Sequence, residues 1–310
     1  MRYLILGAGA LGGYFGGMLL KGGADVTFLV RPARADQLRR DGLIVKTQDG
    51  GELRTPVRTA VQGDLAGQYD VVLLCCKAYD LDSAMDAIGA AVGPETTILP
   101  LLNGVRHLDV LANRFGRRAV LGGLTVINAA LLSDGTIQQS QVRVNITAIG
   151  ELDGSGSDRC SNIKAALEAG GIAVQVSDNI TAMMWEKFYG FVCSATVATL
   201  CRSRSGSIAR APSGSAFVSA VIDECARVVT GLGHPPIAAL DSGGQLKGLF
   251  AQTGLNYGPS ILIDMEDGRA TEGEHTIGDM AERAAKAGIN APLLTAARCN
   301  LEAYEINRKR

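Results

Sequence analysis

The chain has 310 residues, 47% hydrophobic and 20% charged, the balance of an ordinary globular protein and more length than one typical core uses. Its net charge of −1 excludes the long-range field that would draw nucleic acid or an anionic membrane surface. Seven scattered cysteines without Cys-x-x-Cys, and three histidines (His107, His234, His275) without His-Glu-x-x-His, show no pattern of a disulfide framework or a metal site; the thiols suit a reducing cytoplasm.

The first elements in the chain are its clearest. Tyr3 to Leu6 reads as a buried parallel strand, emptying into the loop Gly7-Ala8-Gly9-Ala10-Leu11-Gly12 and then a helix from Ala10 to Lys21. That order of strand, Gly-x-Gly-x-x-Gly and helix is the dinucleotide-binding arrangement. Its glycines allow a tight turn, close backbone approach to a pyrophosphate and close helix–strand packing, and the phosphates meet the N–H groups of the new helix. A second strand, Asp25 to Val30, ends at Val30-Arg31-Pro32 with Arg34 just beyond and no acid at the strand tip. An NAD site usually carries Asp or Glu there, whereas a guanidinium matches a 2′-phosphate, so Arg31 points to NADPH; its ordinary reading is a solvated loop arginine.

Leu43 to Lys46 and Glu52 to Val57 then flank Gly50-Gly51 as a hairpin. Tyr69 to Cys76 and Thr97 to Leu102 are continuous apolar runs expected of interior parallel strands, with a crossover helix at Leu81 to Val92 between them. Ala119 to Glu151 changes to antiparallel strands, and a polar break at Asp153 to Asp158 precedes a helix to Ala169 and a last strand, Ala173 to Val176. Beyond Ser177 the strand signature stops. Asp178 to Cys201, Ser213 to Gly231, Glu272 to Ala287 and Pro292 to Arg308 read as helices with apolar faces. The uncharged stretch Phe188 to Cys201 falls short of the roughly 20 residues that span a bilayer, and reads as a buried core helix. The expected architecture is α/β: a doubly wound, Rossmann-type domain over 1–177 followed by an all-helical domain over 178–310, with a substrate in the cleft at the carboxyl ends of the strands.

A nicotinamide enzyme takes its hydride from the cofactor, and the protein must move a proton at the reacting oxygen. With three histidines available, lysine is the natural acid, and Lys187 in Trp185-Glu186-Lys187-Phe188 heads the apolar helix, where desolvation would lower its pKa. Taken alone, a solvated surface lysine remains the ordinary reading. Glu272 opens a helix, where Thr271 with Glu274 resembles a capping box. Asn103-Gly104 ends an interior strand as an amide that faces ligand or as a simple turn, and Lys77 ends the preceding strand as a cofactor contact or a charge in water.

Together these residues resemble the ketopantoate reductase (2-dehydropantoate 2-reductase) family nearly end to end. The likeness is carried by Leu6-Gly7-Ala8-Gly9-Ala10-Leu11-Gly12, Cys76-Lys77-Ala78, Leu102-Asn103-Gly104, Trp185-Glu186-Lys187-Phe188, Ser260 with Glu272, and Gly288-Ile289 with Pro292. The resemblance implies Lys187 as general acid, and Glu272 orienting that lysine and the substrate. It also implies Ser260 on the substrate carboxylate, Asn103 near the nicotinamide, Lys77 on the cofactor side and Arg31 on the 2′-phosphate. Family members acting on ketopantoate carry asparagines one and two turns after the lysine, where this chain has Phe191 and Ala195; a third, shortly before the serine, is Tyr257 here. The activity the resemblance implies is NADPH-dependent reduction of a 2-oxo acid, nominally ketopantoate; each hydrogen bond lost to a buried substrate hydroxyl costs about 1–3 kcal/mol, so a less hydroxylated 2-oxo acid is the alternative substrate. Two other readings stay open: a dehydrogenase of 3-hydroxy acids or imines with the same architecture, and an NADP(H)-binding regulator without turnover. A homodimer through the helical domain rests on the resemblance alone.

Overall fold

The computed structural model describes residues 1–65, 67–140 and 145–309. In chain order its strands are β1 (Arg2–Leu6), β2 (Asp25–Leu29), β3 (Leu43–Lys46), β4 (Glu52–Thr55), β5 (Arg58–Ala60), β6 (Val71–Leu74), β7 (Thr97–Pro100), β8 (Leu121–Val126), β9 (Asn128–Leu131), β10 (Ile137–Ser140), β11 (Ile146–Glu151) and β12 (Gln175–Val176). Its helices are α1 (Ala10–Lys21), α2 (Pro32–Asp41), α3 (Leu81–Ile88), α4 (Arg106–Phe115), α5 (Asp158–Ala169), α6 (Ile180–Cys201), α7 (Ser205–Arg210), α8 (Gly214–Gly231), α9 (Ser242–Phe250), α10 (Ser260–Glu266), α11 (Asp279–Lys286) and α12 (Pro292–Arg308). Two compact units result: Met1–Leu102 with His107–Thr181, and Asn103–Arg106 with Ala182–Arg310. Asn103, read from the sequence as part of the nucleotide domain, therefore groups with the helices. Among the described residues no helix is long and apolar enough to cross a membrane.

The first unit is built on a parallel five-stranded sheet in the order β5-β2-β1-β6-β7. Leu4 is in register with Thr27 on one side and Val72 on the other, and β6 and β7 are buried along their whole length, which is why they read as unbroken apolar runs. A second sheet, β4-β3-β10-β9, pairs the expected hairpin of β3 and β4 with β10 running parallel to β3. A third joins β8 and β11 antiparallel with β12 parallel to β11. The sequence reading of strands across Ala119 to Glu151 includes residues 141–144, which lie outside the described residues. The last strand is shorter than read: only Gln175–Val176 pairs, while Val174 turns into the core.

Five of these helices escaped the sequence reading: α2 and α4, and in the second unit α7, α9 and α10. In α2, Arg31 is the extended, exposed N-cap at the end of the loop and Pro32 opens the helix; only Ala35 and Leu38 on that helix are buried, too few apolar positions to show a period. In α4 the buried pair is His107 and Leu111, and the histidine hides the pattern. In the second unit α6 is the buried core helix the sequence suggested, with Phe188, Val192, Cys193, Ala195 and Ala198 nearly or fully buried. Buried Glu224 of α8 accepts the Leu293 and Leu294 N–H groups at 3.2 and 2.8 Å, satisfying the otherwise unpaired N-terminus of α12.

Candidate active site

In the first unit the sequence of turn and helix leaves a cradle. Gly7 has φ +88°, a conformation L side chains rarely adopt, and a Cβ on Gly12 would lie 2.1 Å from the Gly7 carbonyl oxygen, so the loop folds back on its own helix only with glycine there. A Cβ on Gly9, by contrast, would meet nothing within 4 Å. Gly9 is the N-cap of α1 with no side-chain cap, so backbone N–H groups at that end stand open toward the space a pyrophosphate needs. Ala8 is buried; Ala10 and Leu11 are the first residues of the helix. The residues present fit a dinucleotide.

Around the cradle, Lys77 follows β6 as the half-buried N-cap of the short turn Ala78–Asp80. Arg31 is 84% exposed, and its guanidinium lies 3.4 Å from Asp80. The strand tip carries no acid, yet the fold brings one from the β6 side, which no local pattern could show. Arg34 takes a part the sequence left unassigned. Half-buried, it donates from Nε to the Ala8 carbonyl (3.2 Å), from Nη2 to the Gly135 carbonyl (3.2 Å) and from Nη1 to Gln37 (2.6 Å). It braces the glycine loop against the β9–β10 turn, and burial lowers its pKa.

The second unit brings together three of the residues expected to carry the chemistry. Lys187 Nζ donates to Asn103 Oδ1 at 3.2 Å, and Asn103 Nδ2 donates to Glu272 Oε2 at 3.3 Å, so residues far apart in the chain form one line of hydrogen bonds. Loss of water around Lys187 pulls its ammonium down to about 8, with the Glu272 charge acting against that fall. Gly104 keeps Asn103 in place: it turns with φ +85°, and a Cβ there would stand 3.0 Å from the His275 carbonyl oxygen. Glu272 is 4% exposed and leads into Glu274–Gly278, a π-helical turn closed by Gly278 N–H to the Gly273 carbonyl (2.9 Å). The continuous helix read from Glu272 to Ala287 is therefore widened at its start.

The capping box read at Thr271 and Glu274 is not formed. Glu274 pairs with Arg298 (2.7 and 3.2 Å), and the Thr271 N–H and hydroxyl both donate to Oε1 of Glu305 on α12, at 2.8 and 3.0 Å. A partner more than thirty positions away leaves no signal in the local sequence.

The residues expected to line the substrate are placed differently. Phe191 is half-buried one turn beyond Lys187, but Ala195 is 0% exposed and presents no surface. Tyr257 packs edge-on against Phe250 and extends its hydroxyl to Ser194 Oγ in a long contact of 3.5 Å; Ser194 in turn donates to the Phe191 carbonyl at 2.9 Å. Ser260 is half-buried at the start of α10, behind Pro259, and is not a member of the Lys187–Asn103–Glu272 line.

Family models described as ketopantoate reductase PanE/ApbA and its C-terminal part match residues 3–154 and 179–305. An uncharacterized oxidoreductase of Bacillus subtilis (strain 168), YkpB, is 33% identical over 310 residues, covering 99% of this chain and all of that protein. A 2-dehydropantoate 2-reductase of Halobacterium salinarum is 28% identical, with 95% of each chain covered. In solved structures the fold matches that of D-mandelate dehydrogenase with NADH and anilino(oxo)acetate, with a TM-score of 0.86, 22% identity and full coverage of both chains. The chain belongs to the ketopantoate reductase family of oxidoreductases.

Proposed function

We propose that the protein reduces a 2-oxo acid to the 2-hydroxy acid with NADPH, nominally 2-dehydropantoate to pantoate, and that Lys187 is the general acid. The observation that carries this reading is the line Lys187–Asn103–Glu272 with the lysine's pKa drawn down to about 8. The bound nicotinamide cofactor supplies the hydride to the carbonyl carbon. Gly7 to Gly12 and the start of α1 would hold its pyrophosphate, and the exposed Arg31 guanidinium supports a 2′-phosphate over a free ribose hydroxyl.

What the chain itself does follows from the second unit. Lys187 carries a proton for the oxygen that becomes an alkoxide. With a pKa near 8 it is about nine-tenths protonated at neutral pH, and a stronger acid than an exposed lysine by about 2.5 pKa units. The Glu272 charge keeps the ammonium form populated, and Asn103 fixes the direction of Nζ by accepting its hydrogen bond. Because reduction needs the protonated lysine, kcat/KM should fall as pH rises through about 8.

A second reading of the substrate is supported by what stands in place of the family's asparagines: Phe191 carries an apolar ring, Ala195 is fully buried, and the Tyr257 hydroxyl reaches toward Ser194 at 3.5 Å. A less hydroxylated 2-oxo acid suits such residues. NADPH oxidation with ketopantoate beside a panel of 2-oxo acids tests both readings, with Lys187→Ala as control. Turnover of any of them that vanishes in the variant supports the chemistry, and the preferred acid decides the substrate. Undiminished turnover in Lys187→Ala refutes the acid.

A further inference from the structure

Glu272 is useful to Lys187 only while its carboxylate stays at one point, and the bond from Asn103 is one part of what holds it there. The backbone around it is another. On the near side, Thr271 is held through both its N–H and its hydroxyl by a single oxygen, Oε1 of Glu305, at 2.8 and 3.0 Å. The other oxygen of Glu305 receives Nε and Nη2 of Arg308, at 3.1 and 2.8 Å, so the carboxylate is itself locked on α12. On the far side, the Glu272 carbonyl accepts the Thr276 hydroxyl at 2.8 Å inside the widened turn. Thr271 makes only a long 3.4 Å contact with the Gly273 N–H, so the start of this turn is capped from another helix and scarcely by its own hydroxyl.

We infer that Glu305 is a positioning residue for the proton-transfer line: by clamping Thr271 it fixes the backbone from which Glu272 reaches Asn103. The inference rests on the proposed role of Lys187 and Glu272. Without the clamp, Thr271 loses two hydrogen bonds to an ionised acceptor, and the π-helical turn is free to relax toward an ordinary helix, a register change of one residue that swings the Glu272 side chain. Asn103 then loses its acceptor, and Lys187 loses the charge that holds its proton.

The experiment compares Glu305→Ala, Glu305→Gln and Lys187→Ala in the full chain, reading kcat, KM and the pH dependence of kcat/KM, with Trp185 fluorescence as the check on folding. Glu305→Ala is expected to lower kcat about 10- to 100-fold, the scale of an ångström misplacement, to leave KM for NADPH unchanged and to move the alkaline limb to lower pH. Glu305→Gln keeps a carbonyl oxygen for Thr271 and should restore most of kcat and the limb. A folded Glu305→Ala enzyme with wild-type kcat and limb overturns the inference, and so does an equal loss in both Glu305 variants without movement of the limb. If Glu305→Ala does not fold, Thr271→Val removes the hydroxyl donor alone; a limb shifted part of the way supports the clamp, and an unmoved one overturns it. Turnover surviving in Lys187→Ala instead refutes the proposed acid, whatever Glu305 does.

Discussion

Replacing Lys187 by Met should abolish turnover and stabilise the protein. In an unfolded chain the lysine ionises near 10.5; in the folded protein burial brings it to about 8, with Glu272 opposing the fall. Between those values the folded state binds fewer protons than the unfolded state, so stability rises with pH across the window, and below it the full cost of holding the ammonium is present. The 2.5-unit gap corresponds to about 3 kcal/mol at pH 7, shrinking to about 1 kcal/mol at pH 10. Met matches the stem of lysine in length and carries no charge, so Lys187→Met should recover most of that energy at neutral pH and progressively less toward pH 10. The assay is urea unfolding of both proteins at the two pH values. It is followed by the single tryptophan, Trp185, which is 7% exposed, stacks on His234 at 4.0 Å and reports the second unit. A variant no more stable than the wild type at pH 7, or a stability gap that does not narrow with pH, would refute the reasoning that this lysine is held against its hydration.

Two further sites, away from that lysine, carry predictions of their own. Arg31→Ala should raise KM for NADPH about 10-fold and leave KM for NADH nearly unchanged, and Asp80→Asn, which frees the same guanidinium, should lower KM for NADPH; equal effects on both cofactors would deny Arg31 the 2′-phosphate. Glu224→Ala should destabilise the second unit by about 2 kcal/mol in urea unfolding, because it leaves the Leu293 and Leu294 N–H groups at the start of α12 without their acceptor; Glu224→Gln should recover part, and a loss below a few tenths would show the cap to be dispensable.

The nucleotide cradle was legible because its parts are neighbours. Gly7, Gly9 and Gly12 stand beside the strand and helix they join, so the geometry is written in one short segment, and the parallel sheet followed from apolar runs such as Val71–Leu74. The proton line was legible only through family resemblance. Lys187, Asn103 and Glu272 each have an ordinary local explanation, and the bonds among them cross the second unit. Helix α2 was missed because two buried residues do not make a period, although Pro32 after Arg31 is a start signal with a mechanism. The bracing by Arg34 and the clamp from Glu305 had no local trace at all, since the groups they hold lie on other elements.

The two kinds of residue in the second unit differ in what change costs them. Each member of the line is another member's partner: altering Asn103 strips a hydrogen bond from both Lys187 and Glu272. The residues beside it are satisfied without a substrate. Tyr257 rests on Phe250 and Ser194, Ser194 on the Phe191 carbonyl, and Ala195 is sealed in the helix core. Under the proposed reaction, exchanging Phe191 or Ala195 removes no side-chain polar group, whereas exchanging Asn103 takes a hydrogen bond from two ionisable side chains at once, so the first kind of change costs proton transfer less.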